Sequence, residues 1–352
     1  MTLFIAMTIL SLFFAYLAER NNSKIALFLC IASISLYAAC RGQSVGIDTA
    51  NYYRTFWNVF NGTRVTFKDW GYETIIKCLM NVFRNPAGVV FVFSCLTNIL
   101  ILSRLWKMRE KSSFSFMVFI YIACYYAKSM NIIRQYLAIA IVFWAISFLE
   151  EKKYAKFIVA QVIASGIHIS SLCGVPIFLV YLLKAFKEDK KNKNRIKILL
   201  ILSSIACFVL IRYIDLDSYI HYFSSSSFSI GLITVYRLML IVFIWFIARF
   251  SANRKEFSYD KSGALIPLDE MNLAMYAVGL ALSSLGMFFE YMGRIGLMFV
   301  FFEMPTLGQI VQSKRYRMMM WILCCLPFVY LYIMLFIQDG NGIFPYVPFW
   351  NN

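Results

Sequence analysis

Residues 86–105 read PAGVVFVFSCLTNILILSRL, an apolar run whose only charge, Arg104, lies next to its end. A helix of roughly 20 apolar residues crosses the hydrocarbon core of a bilayer. Because only helices and closed barrels satisfy their backbone hydrogen bonds in lipid, repeated runs of this kind predict an all-α polytopic membrane protein of about 12 transmembrane helices. The other runs lie at 2–18, 24–40, 113–127, 131–149, 154–168, 170–186, 196–214, 230–249, 271–289, 293–311 and 318–337.

The composition of the 352-residue chain agrees with this class of protein. Hydrophobic residues make up 61% of the chain and charged residues only 15%, too few to cover the surface of a soluble protein of this size. The net charge of +16 is expected from basic loops that face anionic headgroups. No basic soluble module exists to carry nucleic acid, so we expect no nucleic-acid partner. No Cys or His spacing typical of a metal site is present, and no metal or other cofactor is expected.

The distribution of Lys and Arg predicts the topology. Most of the 34 basic residues lie in alternate loops, which the positive-inside rule places in the cytoplasm. Both termini then lie outside. We therefore expect one integral membrane domain, 1–352, with cytoplasmic loops at 187–195 and 250–270, an external amphipathic loop at 41–85 and an external tail at 338–352.

Four arginines lie on the predicted outer side, at or below the membrane surface: Arg41, Arg134, Arg237 and Arg294. An arginine at that depth costs a few kcal/mol unless it is paired or faces water. Converging on one cavity, the four side chains would bind a multivalent anion, and phosphate matches the planar guanidinium fork. The alternative is structural, because a lone interfacial arginine often snorkels or forms a salt bridge. Glu290, four residues before Arg294, is a candidate for such a pair.

His168 lies at the junction of two short apolar runs, 154–168 and 170–186, which we interpret as two short helices or a re-entrant pair. A histidine there is either a hydrogen-bonded core residue or a general base on the arginine-rich side. Asp48 is the alternative base, and it could equally orient Arg41.

The external loop is rich in aromatic residues. Such rings could stack on sugar faces, or they could dock the loop on the membrane surface. The rings that we consider for sugar binding are Tyr52, Tyr53 and Tyr72.

Several short motifs, in this order along the chain, resemble the EpsG-type, Wzy-like polysaccharide polymerases. The resemblance covers nearly the whole chain, although 190–270 matches little beyond the helix count. The motifs are Arg41 followed by Gly46-Ile47-Asp48 and Tyr52-Tyr53, then Arg134-Gln135-Tyr136-Leu137-Ala138, the basic turn Lys152-Lys153-Tyr154-Ala155-Lys156-Phe157, His168-Ile169-Ser170, Arg294 and Pro345-Tyr346.

The resemblance implies a GT-C-like membrane fold and a glycosyltransferase activity. Such proteins join oligosaccharide repeat units carried on undecaprenyl pyrophosphate, at the outer face of the bacterial inner membrane, into O-antigen of lipopolysaccharide or into capsule. The partners are then the lipid-linked donor, the lipid-linked acceptor and membrane lipids. Whether a chain-length regulator also binds stays open. The implied mechanism is metal-independent, and direct displacement would invert the anomeric centre.

Under this interpretation each candidate residue has a role. Arg134, Arg294, Arg237 and Arg41 bind the pyrophosphate, and the base is His168 or, if that residue is structural, Asp48.

Two other classes of protein compete with a polymerase. A flippase or exporter of lipid-linked glycan would also have a cationic cavity, but with basic residues at several depths and in both halves. Here the cations outside the basic loops cluster on one side, and no two-fold sequence repeat is evident. A membrane acyltransferase would more often place a His and an acidic partner within one helix, a pattern that is not seen.

Overall fold

The computed structural model describes residues 1–63, 65, 69–188, 198, 232–250, 258–259, 263, 265–285, 290–313 and 317–351. This part of the chain is helical, apart from one hairpin of two short strands, Ser258–Tyr259 and Leu265–Ile266. The prediction of an all-α fold is confirmed. The predicted helix at 196–214 and most of the predicted cytoplasmic loops at 187–195 and 250–270 lie outside the described residues.

Four helices in the described part are long and apolar enough to cross a membrane: Thr2–Asn21, Pro86–Lys107, Ile133–Glu150 and Met318–Gln338. Shorter apolar helices lie at Lys24–Ala39, Tyr154–Ile167, Ile169–Ala185 and Thr234–Phe246. A membrane protein is therefore supported, while the number of about 12 spans stays a prediction.

Two long helices open the chain, α1 (Thr2–Asn21) and α2 (Lys24–Ala39). They pack against each other across a tight turn. Asn22 ends α1 in the left-handed conformation with φ 49°, and the side chain of Ser23 then caps α2 by accepting a hydrogen bond from the Ala26 N–H.

The 41–85 segment contains two short amphipathic helices, α3 (Thr49–Phe60) and α4 (Tyr72–Phe83). Each buries one apolar stripe, with Phe56 and Val59 on α3 and Ile76 and Met80 on α4. The two helices pack against each other and against the next helix, α5 (Pro86–Lys107). Asn85 caps α5 through the Ala87 N–H, and Pro86 suits its first turn because that position needs no N–H donor.

The central part of the chain is a series of interrupted helices. After α6 (Phe114–Ile120) comes a π-helical segment (Tyr121–Tyr126) that continues into α7 (Ala127–Asn131). After α8 (Ile133–Glu150) and α9 (Tyr154–Ile167), a 3₁₀ turn (Ile169–Cys173) leads into α10 (Gly174–Glu188). The break at His168 lies where the sequence predicts it.

The described residues from 232 onward contain five α-helices, of which two replace one predicted helix. The 293–311 run divides at Phe301 and Phe302, and both rings pack against Phe143. Successive residues of a continuous helix point about 100° apart, so the break lets both rings reach one neighbour. The five helices are α11 (Leu232–Phe250), α12 (Glu270–Leu285), α13 (Glu290–Val300), α14 (Glu303–Ile310) and α15 (Arg317–Gln338).

The core is built around α8. Within its apolar window 72% of the residues are buried, compared with 56% in α5, 33% in α1 and 22% in α15. The outer helices α1 and α15 expose large apolar side chains such as Ile9, Phe13 and Leu326, which suits contact with lipid. The site residues at the start of α8 therefore stand on the most enclosed of the four long apolar helices.

The two ends of the bundle carry different loops. At one end, Glu19 accepts hydrogen bonds from the Phe114 and Ser115 N–H groups, and Arg104 forms a bidentate pair with Glu150. At the other end, the 41–85 segment meets the C-terminal tail, where the Gly46 N–H donates to the Gly342 carbonyl at 2.7 Å. The described basic loops, at 20–24, 104–111 and 151–153, are thus grouped away from the tail and the 41–85 segment. That arrangement is what the predicted topology requires, although the side that faces the cytoplasm stays a prediction.

Thiol labelling tests the topology, because Cys78 on α4 is exposed in the native chain. We expect a membrane-impermeant maleimide to label Cys78 in intact spheroplasts, and Cys78→Ser to lose that label. Lys153→Cys in the Cys78→Ser chain should gain label only after permeabilisation, because Lys153 lies on an exposed basic loop at the other end. The reverse pattern of protection would contradict the predicted sidedness.

Candidate active site

Arg134 stands in the first turn of α8, directly after the break between α7 and α8. Its guanidinium group pairs with Asp69 and lies 4.1 Å from the centre of the Tyr72 ring. The side chain of Asp69 is only 3% exposed and that of Arg134 is 21% exposed. Arg134 is therefore held from two sides and still reaches the surface of the site.

His168 ends α9 and begins the 3₁₀ turn. Its Nδ1 accepts a hydrogen bond from the Ser170 N–H at 3.2 Å and lies 2.8 Å from the Ser170 Oγ. A backbone N–H can only donate, so Nδ1 is the acceptor and the neutral ring carries its proton on Nε2. In this geometry the free nitrogen of His168 is a hydrogen-bond donor.

Arg294 comes to the same region from α13. Its own backbone carbonyl accepts a hydrogen bond from the Gln135 side chain at 3.0 Å, which fixes α13 beside the start of α8. Arg294 and Arg134 both interact electrostatically with His168. The side chain of Glu290, the alternative partner of Arg294, lies outside the described residues.

Tyr52 on α3 lies among the same charges. Burial raises the pKa of its phenol to about 12, with Arg134, Asp48, Arg41 and Arg294 as the charged neighbours. The phenol therefore stays protonated and can donate a hydrogen bond to an anion. The structure thus brings together Arg134, Arg294, His168, Tyr52 and Asp48, which we call the arginine site.

Arg41 belongs to the wall behind the arginine site and not to its surface. The residue is fully buried, and its guanidinium donates to the Ala38 carbonyl, to the Ser94 Oγ at 2.9 Å and to the Met130 carbonyl at 2.9 Å. Protein acceptors occupy its two terminal nitrogens, so the contacts that the structure shows for Arg41 are structural, and its binding of a pyrophosphate stays a prediction. Its observed role is to join α2, α5 and α7.

Arg237 forms a separate centre with Glu303. The guanidinium lies 2.8 Å from the Glu303 carboxylate, which is fully buried and also accepts hydrogen bonds from the hydroxyls of Tyr125 and Tyr276. Among the described residues, its contacts include neither Arg134 nor Arg294. This is the salt-bridged alternative that the sequence left open for an arginine at this depth.

The three tyrosines considered for sugar binding differ in exposure. Tyr52 and Tyr53 are half-buried on α3, whereas Tyr72 is fully buried under Arg134. The contact that the structure shows for the Tyr72 ring is a cation–π contact that supports Arg134, and sugar binding by the three tyrosines stays a prediction. Trp70, the residue after Asp69, is 70% exposed.

Sequence reasoning missed two acidic residues, Asp69 and Glu303. Asp and Glu number only 18 in the chain, so every acidic residue in the 41–85 segment was a candidate partner for an outer arginine. That signal would have pointed to Asp69 without showing which arginine it pairs with. Glu303 carried a signal as an acidic residue inside the apolar 293–311 run, but the sequence did not show that its partner is Arg237, 66 residues away on another helix.

A cavity of about 560 Å³ lies at the opposite, basic end of the bundle. Its lining mixes cations with acidic residues, and one of the cations, Arg104, is already paired with Glu150. Because the charges compensate one another, this cavity is a poorer anion site than the arginine site.

Comparison with known protein families identifies the family of this chain. Residues 24–347 match the model of the EpsG family, a range that includes every residue of the arginine site and the 190–270 segment that matched few motifs. No curated protein and no solved structure matches the chain. The match covers most of the chain and confirms the resemblance of its motifs, so the protein belongs to the EpsG family.

Proposed function

We propose that this protein is a membrane glycosyltransferase that joins undecaprenyl-pyrophosphate-linked repeat units into O-antigen or capsular polysaccharide. The family supports a polysaccharide polymerase of this general kind. The observation that carries the proposal is the arrangement of Arg134 and Arg294 around His168 and Tyr52, at the end of the bundle away from the basic loops. In the predicted topology this end faces the outer side of the bacterial inner membrane, where lipid-linked repeat units are joined.

In the proposed reaction the bond from the donor's anomeric carbon to the pyrophosphate breaks as a bond to the acceptor hydroxyl forms. Negative charge then grows on the leaving pyrophosphate lipid. Arg134 and Arg294 are in position to stabilise that charge, and Asp69 and Tyr72 hold Arg134 before the substrate arrives. Preorganised donors of this kind stabilise the transition state more than they stabilise the bound substrate.

The acceptor hydroxyl must lose a proton as it attacks, and the geometry favours Asp48 over His168 as the base. His168 carries its proton on Nε2 in the described hydrogen bond, which suits donation to the pyrophosphate. Asp48 is partly exposed at the start of α3, four residues before Tyr52. Its carboxylate can therefore meet a hydroxyl that arrives beside the arginines.

The sugars of the repeat unit would lie along α3 and the segment before α4. Tyr52 and Tyr53 present part of each ring there, and Trp70 presents most of its ring. Aromatic rings bind the apolar faces of sugars and do not need a hydrogen bond to every hydroxyl group. Arg237, paired with Glu303, would hold α11 against α14 in this mechanism, without touching the pyrophosphate.

One prediction concerns Arg134 and Arg294, the two arginines of the arginine site. Arg134→Lys and Arg294→Lys keep the positive charge but lose the planar guanidinium group that can bind two phosphate oxygens at once. Each substitution should therefore lower kcat by about 100- to 1,000-fold. The measurement is polymer length from purified protein supplied only with lipid-pyrophosphate repeat units, alongside membrane insertion. Normal long-chain polymer from both variants would overturn the assignment.

The same assay separates the rival functions. A ladder of products from lipid-pyrophosphate units supports the polymerase, whereas transfer of the units across vesicles without new bonds supports a flippase or exporter. Polymer formation after removal of all other proteins would also show that a chain-length regulator is not needed for bond formation.

Another prediction separates the roles of His168 and Asp48. Glutamine can place an N–H donor near the position of Nε2, so His168→Gln should keep at least about 10-fold more activity than His168→Ala. Asp48→Asn should reduce kcat by about 100-fold or more, because the amide cannot take the proton. Equal loss in His168→Gln and His168→Ala, with an active Asp48→Asn, would instead make His168 the base.

A further inference from the structure

Asp69 joins two parts of the arginine site. One carboxylate oxygen pairs with the guanidinium of Arg134, and the other accepts a hydrogen bond from the Ile169 N–H at 2.8 Å. Arg134 begins α8, and Ile169 follows His168 in the break after α9. A single short side chain therefore bridges the element that carries the arginine and the element that carries the histidine.

We propose that Asp69 is a positioning residue that sets the separation and orientation of Arg134 and His168. The inference rests on the proposed polymerase function, and it adds a residue that acts through those two and does not touch the substrate. Asp69 is 3% exposed, so a substrate cannot reach its carboxylate.

The segment around Asp69 packs closely against the end of α9, next to the break at His168. The Gly71 N–H donates to the Gly166 carbonyl at 3.0 Å, and a Cβ built on Gly71 would lie 3.2 Å from that oxygen. A Cβ on Gly166 would lie 2.9 Å from the ring of Trp70. Both contacts leave little room for a larger residue, so the backbone on either side of the bridge is held close.

The bridge also satisfies the backbone at a helix break. The Ile169 N–H lies outside the hydrogen-bond ladder of α9, and a backbone N–H without a partner at such a break is destabilising. Asp69 removes this cost while its second oxygen holds Arg134. The charge of Arg134 is compensated in the resting state and can be shared with an arriving pyrophosphate, because its side chain is 21% exposed.

A purely structural anchor would give a different result from a positioning residue. Loss of an anchor lowers the amount of folded protein but leaves the activity of each folded molecule unchanged. Loss of a positioning residue lowers kcat in folded protein, because a shift of about 1 Å in a catalytic group can cost roughly 100-fold.

The experiment measures kcat, KM and the thermal unfolding midpoint of Asp69→Asn, using lipid-pyrophosphate repeat units. We expect kcat to fall by about 10- to 100-fold while KM changes by less than about 3-fold. In an Arg134→Lys background the same change should cost less than about 3-fold, because the two residues act as one unit.

Two further variants keep the test decisive. Asp69→Glu retains the charge but moves the carboxylate by one methylene, and it should also lower kcat by about 10-fold. If Asp69→Asn does not fold, Asp69→Glu takes its place as the test. Glu150→Gln is the matched control, since it removes the carboxylate of an Arg–Glu pair at the opposite end of the bundle and should leave kcat within about 2-fold.

The outcomes separate the inference from the proposed function. Polymer from the wild-type chain together with unchanged kcat in folded Asp69→Asn or Asp69→Glu would overturn the positioning role. Full additivity of Asp69→Asn with Arg134→Lys would overturn it as well. No polymer from the folded wild-type chain would instead overturn the proposed function.

Discussion

An arginine placed within a membrane protein needs a partner, and the fold of this protein depends on how its arginines are paired. Arg134 is paired with Asp69, Arg237 with Glu303 and Arg104 with Glu150. Each pair joins segments that are distant along the chain. For the pair with a fully buried carboxylate, Arg237–Glu303, removing one member costs about 3–5 kcal/mol because the other charge remains without compensation. These pairs therefore constrain how the apolar helices can be arranged.

The partners of the arginines also distinguish those held within the fold from those that reach its surface. Arg41 is buried among backbone carbonyls and Arg237 faces a buried carboxylate, so both act within the fold. Arg134 and Arg294 combine fixed positions with exposure, the combination that a charged ligand requires. Charge alone did not single out Arg41 and Arg237, and the acceptors around their guanidinium groups did.

The breaks in the helices are where the site is built. Irregular backbone at membrane depth is tolerated where protein or water satisfies it. Here Asp69 accepts from the Ile169 N–H, and His168 accepts from the Ser170 N–H. The same side chains that complete the backbone hydrogen bonding thus stand beside the reacting groups in the proposed mechanism, which links local stability to catalytic geometry.

The sequence alone determined the helical class, the positions of most helices, the break at His168 and the candidates Arg134 and Arg294, because apolar runs and isolated charges are local signals. Tertiary structure alone decided that Tyr72 lies under Arg134, that Arg41 is enclosed and that Asp69 bridges α8 and the end of α9. It also divided the 293–311 run at two phenylalanines that share one neighbour. These features depend on contacts between segments far apart along the chain, and the spacing of residues within a segment does not encode which distant segment it meets.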